Sequence, residues 1–152
     1  MKRYLEIEKI VYQELENHCF GNKKRQGYRH LFGVSTLCLN YSYDKHLDAE
    51  LCAIMGLLHD YSVYKNNTSF NHAQISSELA QKLLEDSLLF DKDEIDIIVQ
   101  AIKNHSTKNK KHDAYSELLK MCDVLESYLH EPDCIFDENH QKYIDLVKGE
   151  SL

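Results

Sequence analysis

The 152 residues include a single proline, Pro132, and only five glycines. So few breakers leave room for long helices, and they do not supply the frequent turns that a sandwich or barrel of short strands requires. The apolar residues recur at three- and four-residue intervals along most of the chain, and strand-like alternation is weak. With 43% hydrophobic and 28% charged residues, the chain can bury a real core and is too apolar for disorder. No repeat, low-complexity tract or linker divides it. Residues 1–152 therefore read as one all-α domain, a compact bundle of about six or seven helices. Its core is expected over 24–130, with the N- and C-terminal helices packing on it.

The pattern predicts a first helix over about Arg3–His18, ending before Gly21-Asn22. A second covers about Lys24–Tyr43, with His30, Val34, Leu37, Cys38 and Tyr41 at helical spacing. Asp48 is a suitable N-cap for a third, Ala49–Asp60, and Glu50 in its first turn complements the helix dipole. Leu51, Cys52, Ala53, Ile54, Met55, Leu57 and Leu58 leave this helix almost no polar face, so it should be central and buried. The polar stretch Ser62–Asn71 reads as a loop. A fourth helix follows from His72 to about Glu85. Asp91 or Asp93 caps a fifth, whose stripe is Ile95, Ile98, Val99 and Ile102. Lys108–Lys111 reads as another loop, a sixth helix spans about Ala114–Leu129 and stops before Pro132, and a last one covers about Asp137–Lys148.

The formal net charge of −7 argues against nonspecific binding to nucleic acid or an acidic membrane surface. No stretch approaches the roughly 18 apolar residues needed to cross a bilayer, and the charged opening Met1–Glu8 is unlike a signal peptide. Cys19, Cys38, Cys52, Cys122 and Cys134 are scattered, with no Cys-x-x-Cys pair. They read as reduced, mostly core-filling thiols of a cytoplasmic protein and not as a zinc–thiolate site. The basic run Lys23-Lys24-Arg25 reads first as a solvated helix start, and alternatively as a device steering phosphate towards a nearby site.

The histidines and certain acids fall in unusual places. His30 continues the stripe of the second helix, and His59-Asp60 closes the buried third. His72 opens the fourth, His105 extends the fifth three residues after Ile102, and Asp123 follows Cys122 in the sixth. All six point towards the interior, where an unpaired carboxylate or imidazolium costs several kcal/mol. A divalent cation is the simplest shared partner, since it takes neutral imidazole nitrogens and ionised carboxylate oxygens. Any one of these histidines alone reads as a hydrogen-bonded core residue; the convergence of six changes that reading. His18, His46, His112, His130 and His140 lie at helix ends or in polar stretches and are expected to be solvated.

The order His30, Leu57-Leu58-His59-Asp60, His72-Ala73, Ile102-x-x-His105 and Met121-Cys122-Asp123-Val124-Leu125 resembles the HD-domain superfamily of metal-dependent phosphohydrolases, over about Tyr28–Leu129. The resemblance implies an HD-type helical bundle with His30, His59, Asp60 and Asp123 as the core metal site. It further implies that His72 and His105 hold a second ion, with Asp60 bridging, most often iron or manganese; magnesium, nickel, cobalt and zinc are compatible. The His105-Ser106-Thr107 segment and the spacing are similar to the branch that hydrolyses symmetrical dinucleoside tetraphosphates. The loop between Asp60 and His72 is short for that branch, and Val63 and Tyr64 stand near the place of a lysine often found there, with Lys65 displaced. The added Gly-Tyr-Pro motif of the cyclic-dinucleotide branch is absent, and the branch is left open.

Two cations about 3.5–4 Å apart clamp a phosphoryl group and lower the pKa of a bound water towards roughly 7, giving a hydroxide for in-line attack. Asp60 would position the metals and, with Asp123, the nucleophile. Arg29 and Lys65 are candidates for meeting the remaining phosphate oxygens, with Lys103 and Lys108 behind them, although each reads first as a surface residue. Tyr64 reads first as a packing residue. The expected substrate is a nucleotide or other small phosphate ester, and a homodimer is compatible with the sequence. Two other functions fit the same residues: a di-iron oxygenase on this fold, or a non-catalytic ligand sensor.

Overall fold

In the computed structural model, which describes residues 1–150, every regular element among the described residues is helical. Seven helices have ten residues or more: α1 (Lys2–His18), α3 (Gly33–Lys45), α4 (Ala49–Leu58), α6 (His72–Ser87), α7 (Lys92–Asn104), α8 (Ala114–His130) and α9 (Glu138–Glu150). Two are short, α2 (Gly21–Gly27) and α5 (Tyr61–Lys65). No helix among the described residues is long and apolar enough to cross a membrane.

α4 lies at the centre. Every residue from Leu51 to Leu58 is buried, as the lack of a polar face requires, and α1, α3, α7 and α8 surround it. Its start is set by the Asp48 side chain, which accepts the Leu51 N–H. α7 begins at a capping box in which Asp91 and Glu94 each accept the other's backbone N–H. Its inward stripe is Ile95, Ile98, Ala101 and Ile102, while Val99, expected on the stripe, is only half-buried at its edge. α1 applies Ile7, Val11 and Leu15 to the core, and Arg3 ties it to α4 and α7 through Glu50 and Glu94. α9 covers α8 with Tyr143 and Ile144.

Two local departures from the expected helices matter for the site. The second expected helix begins earlier, at Gly21, and is interrupted at Tyr28–Phe32 by one π-helical turn before continuing as α3. Such a turn carries an extra residue and is common where a helix aims side chains at a functional site; this one carries Arg29 and His30. The stretch expected to be a loop opens instead with α5. Tyr61 and Tyr64 bury their rings there, a tertiary contact that overrides the polar composition of Ser62–Asn71. Of the cysteines, Cys134 is exposed and the other four are buried.

Candidate metal centre

α4 ends by delivering His59 and Asp60 into the space between the π turn, α6, α7 and α8. His30 arrives from the π turn, His72 from the first residue of α6, His105 from the end of α7 and Asp123 from the middle of α8. The structure brings all six expected ligands together in two clusters that share Asp60. His30, His59, Asp60 and Asp123 form one, and Asp60, His72 and His105 the other, each with potential ligand atoms within 4.8 Å of one another. Asp60 Oδ2 lies 3.3 Å from His30 Nε2 and 3.4 Å from His59 Nε2. Its other oxygen, Oδ1, lies 3.2 Å from His105 Nε2 and 3.6 Å from His72 Nε2. The carboxylate is thus divided between the clusters, while Asp123 Oδ1 faces His30 and His59 at 3.2 and 3.4 Å.

The outer nitrogens explain why the inner ones are available. His59 Nδ1 donates to the Gly56 carbonyl at 2.7 Å and His105 Nδ1 to the Ile102 carbonyl at 2.6 Å, each three residues back on its own helix. His72 Nδ1 donates to the Ser69 carbonyl, in the loop before α6, at 3.2 Å. His30 Nδ1 points at the buried carboxylate of Glu126, 2.5 Å away. A neutral ring that donates through Nδ1 leaves a lone pair on Nε2. All four lone pairs converge on the acids, and those of His30 and His59 face each other at 3.0 Å. Two acceptors cannot bond one another, so a cation between them satisfies both. The donor set, nitrogen and oxygen without sulfur, fits divalent iron, manganese or their neighbours.

The charges say the same. Burial pulls the His30 imidazole down, but its bonds to Asp123, Asp60 and Glu126 outweigh this and push it up to about 12. Burial also opposes charge on His59, yet Asp60 and Asp123 hold it up at about 9. Burial by itself would raise both acids; the His59 charge instead carries Asp60, and Lys108 carries Asp123, well below the usual carboxylate range. In the second cluster burial dominates, and His105 is lowered. The first cluster therefore favours positive charge, which a bound cation would supply.

Other candidates fall differently. Arg29 lines the cleft over the clusters, a space of about 350 Å3 that also meets Gln26, Tyr64, Ser127 and Glu131. Its Nε lies 3.3 Å from Glu126 Oε1. Lys65 does not reach the cleft: its ammonium turns to Glu14 at 3.5 Å and lies over the Tyr61 ring, because α5 faces that side chain away from Asp60. Lys103 is exposed. Lys108, by contrast, is buried and donates to Asp123 Oδ2 at 2.9 Å and to the His105 carbonyl at 2.8 Å. It holds the Asp123 oxygen that faces away from the histidines. Among the histidines expected in solvent, His18, His46 and His130 are exposed, His130 also pairing with Glu126 at 2.9 Å, whereas His112 and His140 are half-buried and His112 is bonded to Lys120.

Glu126 was not apparent from the sequence. Its only signal there is an acid three residues after Asp123, on the same helical face. It reaches His30 because Gly33 leaves space: a Cβ at Gly33 would stand 3.0 Å from the Glu126 Cγ.

A helical bundle that closes four histidines and two aspartates around shared ligand positions defines a class of metal-binding α-domains. The sequence pattern of the HD domain matches residues 27–128, and the chain belongs to that family. Its fold is similar to a crystal structure described as a predicted HD superfamily hydrolase from an uncultured Thermotogales bacterium. The two share 21% identity at a TM-score of 0.69, over 92% of this chain and 82% of the other. No curated protein matches the chain in sequence.

Proposed function

We propose that this protein is a metal-dependent phosphohydrolase acting on a small phosphate ester, with nucleotides as the leading class. One observation carries the reading: Asp60 divides its two oxygens between two clusters whose four imidazoles all turn Nε2 inward. His30, His59, Asp60 and Asp123 would hold one cation, and Asp60, His72 and His105 a second. Divalent ions in such a pair supply Lewis-acid polarisation of a phosphoryl group and acidify water towards neutrality.

The chain's own side chains do the rest. Glu126 fixes the His30 tautomer and so keeps Nε2 open. Lys108 neutralises the outer oxygen of Asp123 and orients the inner one. Arg29, exposed at the cleft and partly balanced by Glu126, is placed to donate to a phosphate oxygen. Tyr64, its ring buried against the same cleft, shapes the wall; burial pushes its phenol up to about 12, so it stays neutral.

The test is a panel of nucleotides and sugar phosphates with protein stripped by chelator and reloaded with Mn2+ or Fe2+. Metal-dependent phosphate release is expected, together with two bound ions that fall to one in His72→Ala. No release across the panel, or release undiminished in Asp60→Asn, refutes the reading. Substrate-dependent oxygen uptake by iron-loaded protein without phosphate release transfers the site to the oxygenase class.

A further inference from the structure

The cleft over the clusters does not end at Arg29. Beyond it lies a second recess of about 540 Å3, lined by Asn22, Lys23, Arg25, Gln26, Arg29 and Glu131. Gln26, Arg29 and Glu131 line both spaces, so the recess adjoins the cleft. Three of its six lining residues are cationic and one is acidic, in a chain whose formal net charge is −7.

The partners of these cations set them apart from the usual surface pairs. Lys24, between them in sequence, turns away to Glu16 at 3.4 Å. Lys23 places its ammonium 5.4 Å from the centre of the Tyr64 ring, and Tyr64 is a wall of the cleft. Arg25 bonds the Asn22 side chain. Neither Lys23 nor Arg25 forms an ion pair with a carboxylate among the described residues. The chain sets two cations that lack a carboxylate partner, plus Arg29 at the junction, beside a centre proposed to take a phosphoryl group.

From this contiguity we infer that the recess is a second anion subsite, which binds a phosphate or comparable oxyanion of the substrate beyond the one that reacts. The inference rests on the phosphohydrolase reading and adds a substrate class to it: esters or anhydrides with a chain of at least two anionic groups, preferred over simple monoesters. Arg29 spans the two spaces. Lys23 and Arg25 select for the longer chain, and Glu131, the one acid in the lining, offsets only part of the three cations.

The test uses two probes that resist hydrolysis, methylphosphonate and a methylene-bridged tripolyphosphate analogue. Each is titrated calorimetrically into Mn2+-loaded protein at fixed free Mn2+, so that chelation by the probe is common to all variants. Lys23→Gln/Arg25→Gln is expected to weaken the long probe about tenfold and methylphosphonate less than about twofold, the scale of two solvent-exposed charge pairs. Lys23→Arg should bind as the wild type does, and the difference between probes should shrink at high salt. An unchanged affinity for the long probe, or equal losses for both probes, overturns the subsite. Metal-dependent phosphate release alongside either result leaves the hydrolase reading standing without it. The expected selective loss in a protein that releases no phosphate from any ester retains the subsite and removes the hydrolysis.

Discussion

Gly56→Ala tests whether the close approach of α3 and α4 builds the candidate metal centre. A Cβ at Gly56 would stand 2.8 Å from Ser35 Cα, 2.9 Å from Ser35 N and 3.0 Å from the Val34 carbonyl oxygen. All three are backbone atoms, so no rotamer change relieves the contact. Carbon pairs settle at about 3.5–4.0 Å, so the helices must part by roughly 0.7–1.2 Å. Overpacking of this kind costs about 1–3 kcal/mol, and contact with rigid backbone places it near the top. Replacing a helical glycine with alanine recovers about 1 kcal/mol. A net loss of about 2 kcal/mol, or roughly 4–8 °C in Tm for a chain this long, is expected.

The same displacement reaches the site. α3 continues the π turn that carries His30, and the Gly56 carbonyl accepts from His59 Nδ1. Urea unfolding with chelator present measures the stability alone, and Mn2+ titration then measures the ligands. Affinity should fall at least about tenfold, the lower end for a disturbed supporting contact. An urea midpoint equal to or above that of the wild type refutes the packing argument.

Three further outcomes follow from contacts that support the site or the fold. Glu126→Gln should keep the fold, as judged by circular dichroism, while lowering metal affinity about 10–100-fold, because the His30 tautomer loses its anionic partner. Lys120, fully buried, donates to the Lys110 carbonyl at 2.8 Å and to Glu117 at 2.5 Å. Lys120→Met should cost about 2 kcal/mol in urea titration and Lys120→Met/Glu117→Gln about half that, since the single change leaves the half-buried Glu117 charge without its cation, held only by the His112 N–H and the Tyr143 hydroxyl. For pH, burial raises Glu50, but its bonds to the N-terminal ammonium and Arg3 carry it down to about 2 from 4.5. Its depressed value means the contribution is complete above about 4.5 and lost as pH falls towards about 2. The stability gap between wild type and Glu50→Gln should close over that window.

Breaker scarcity, apolar period and caps made most helices legible, because they act through neighbours three or four residues away. Asp48, the all-buried face of α4 and the stripe of α7 follow from such local rules. The clustering of the six candidate ligands was legible for a related reason: each sits on an inward helical position, where an ionisable group needs a partner. The π turn and α5 were not. One inserts a residue without changing composition, and the other depends on tyrosines buried against distant helices.

Only tertiary structure could sort the supporting charges. Lys65 and Lys108 look alike in sequence, yet α5 turns the first to Glu14 while the turn after α7 folds the second onto Asp123. Glu126 lies 96 positions from His30 in the chain. Inward placement on a helix requires a polar group to have a partner, and local periodicity reports that requirement. Which residue meets it depends on how the helices pack, and no local pattern contains that information.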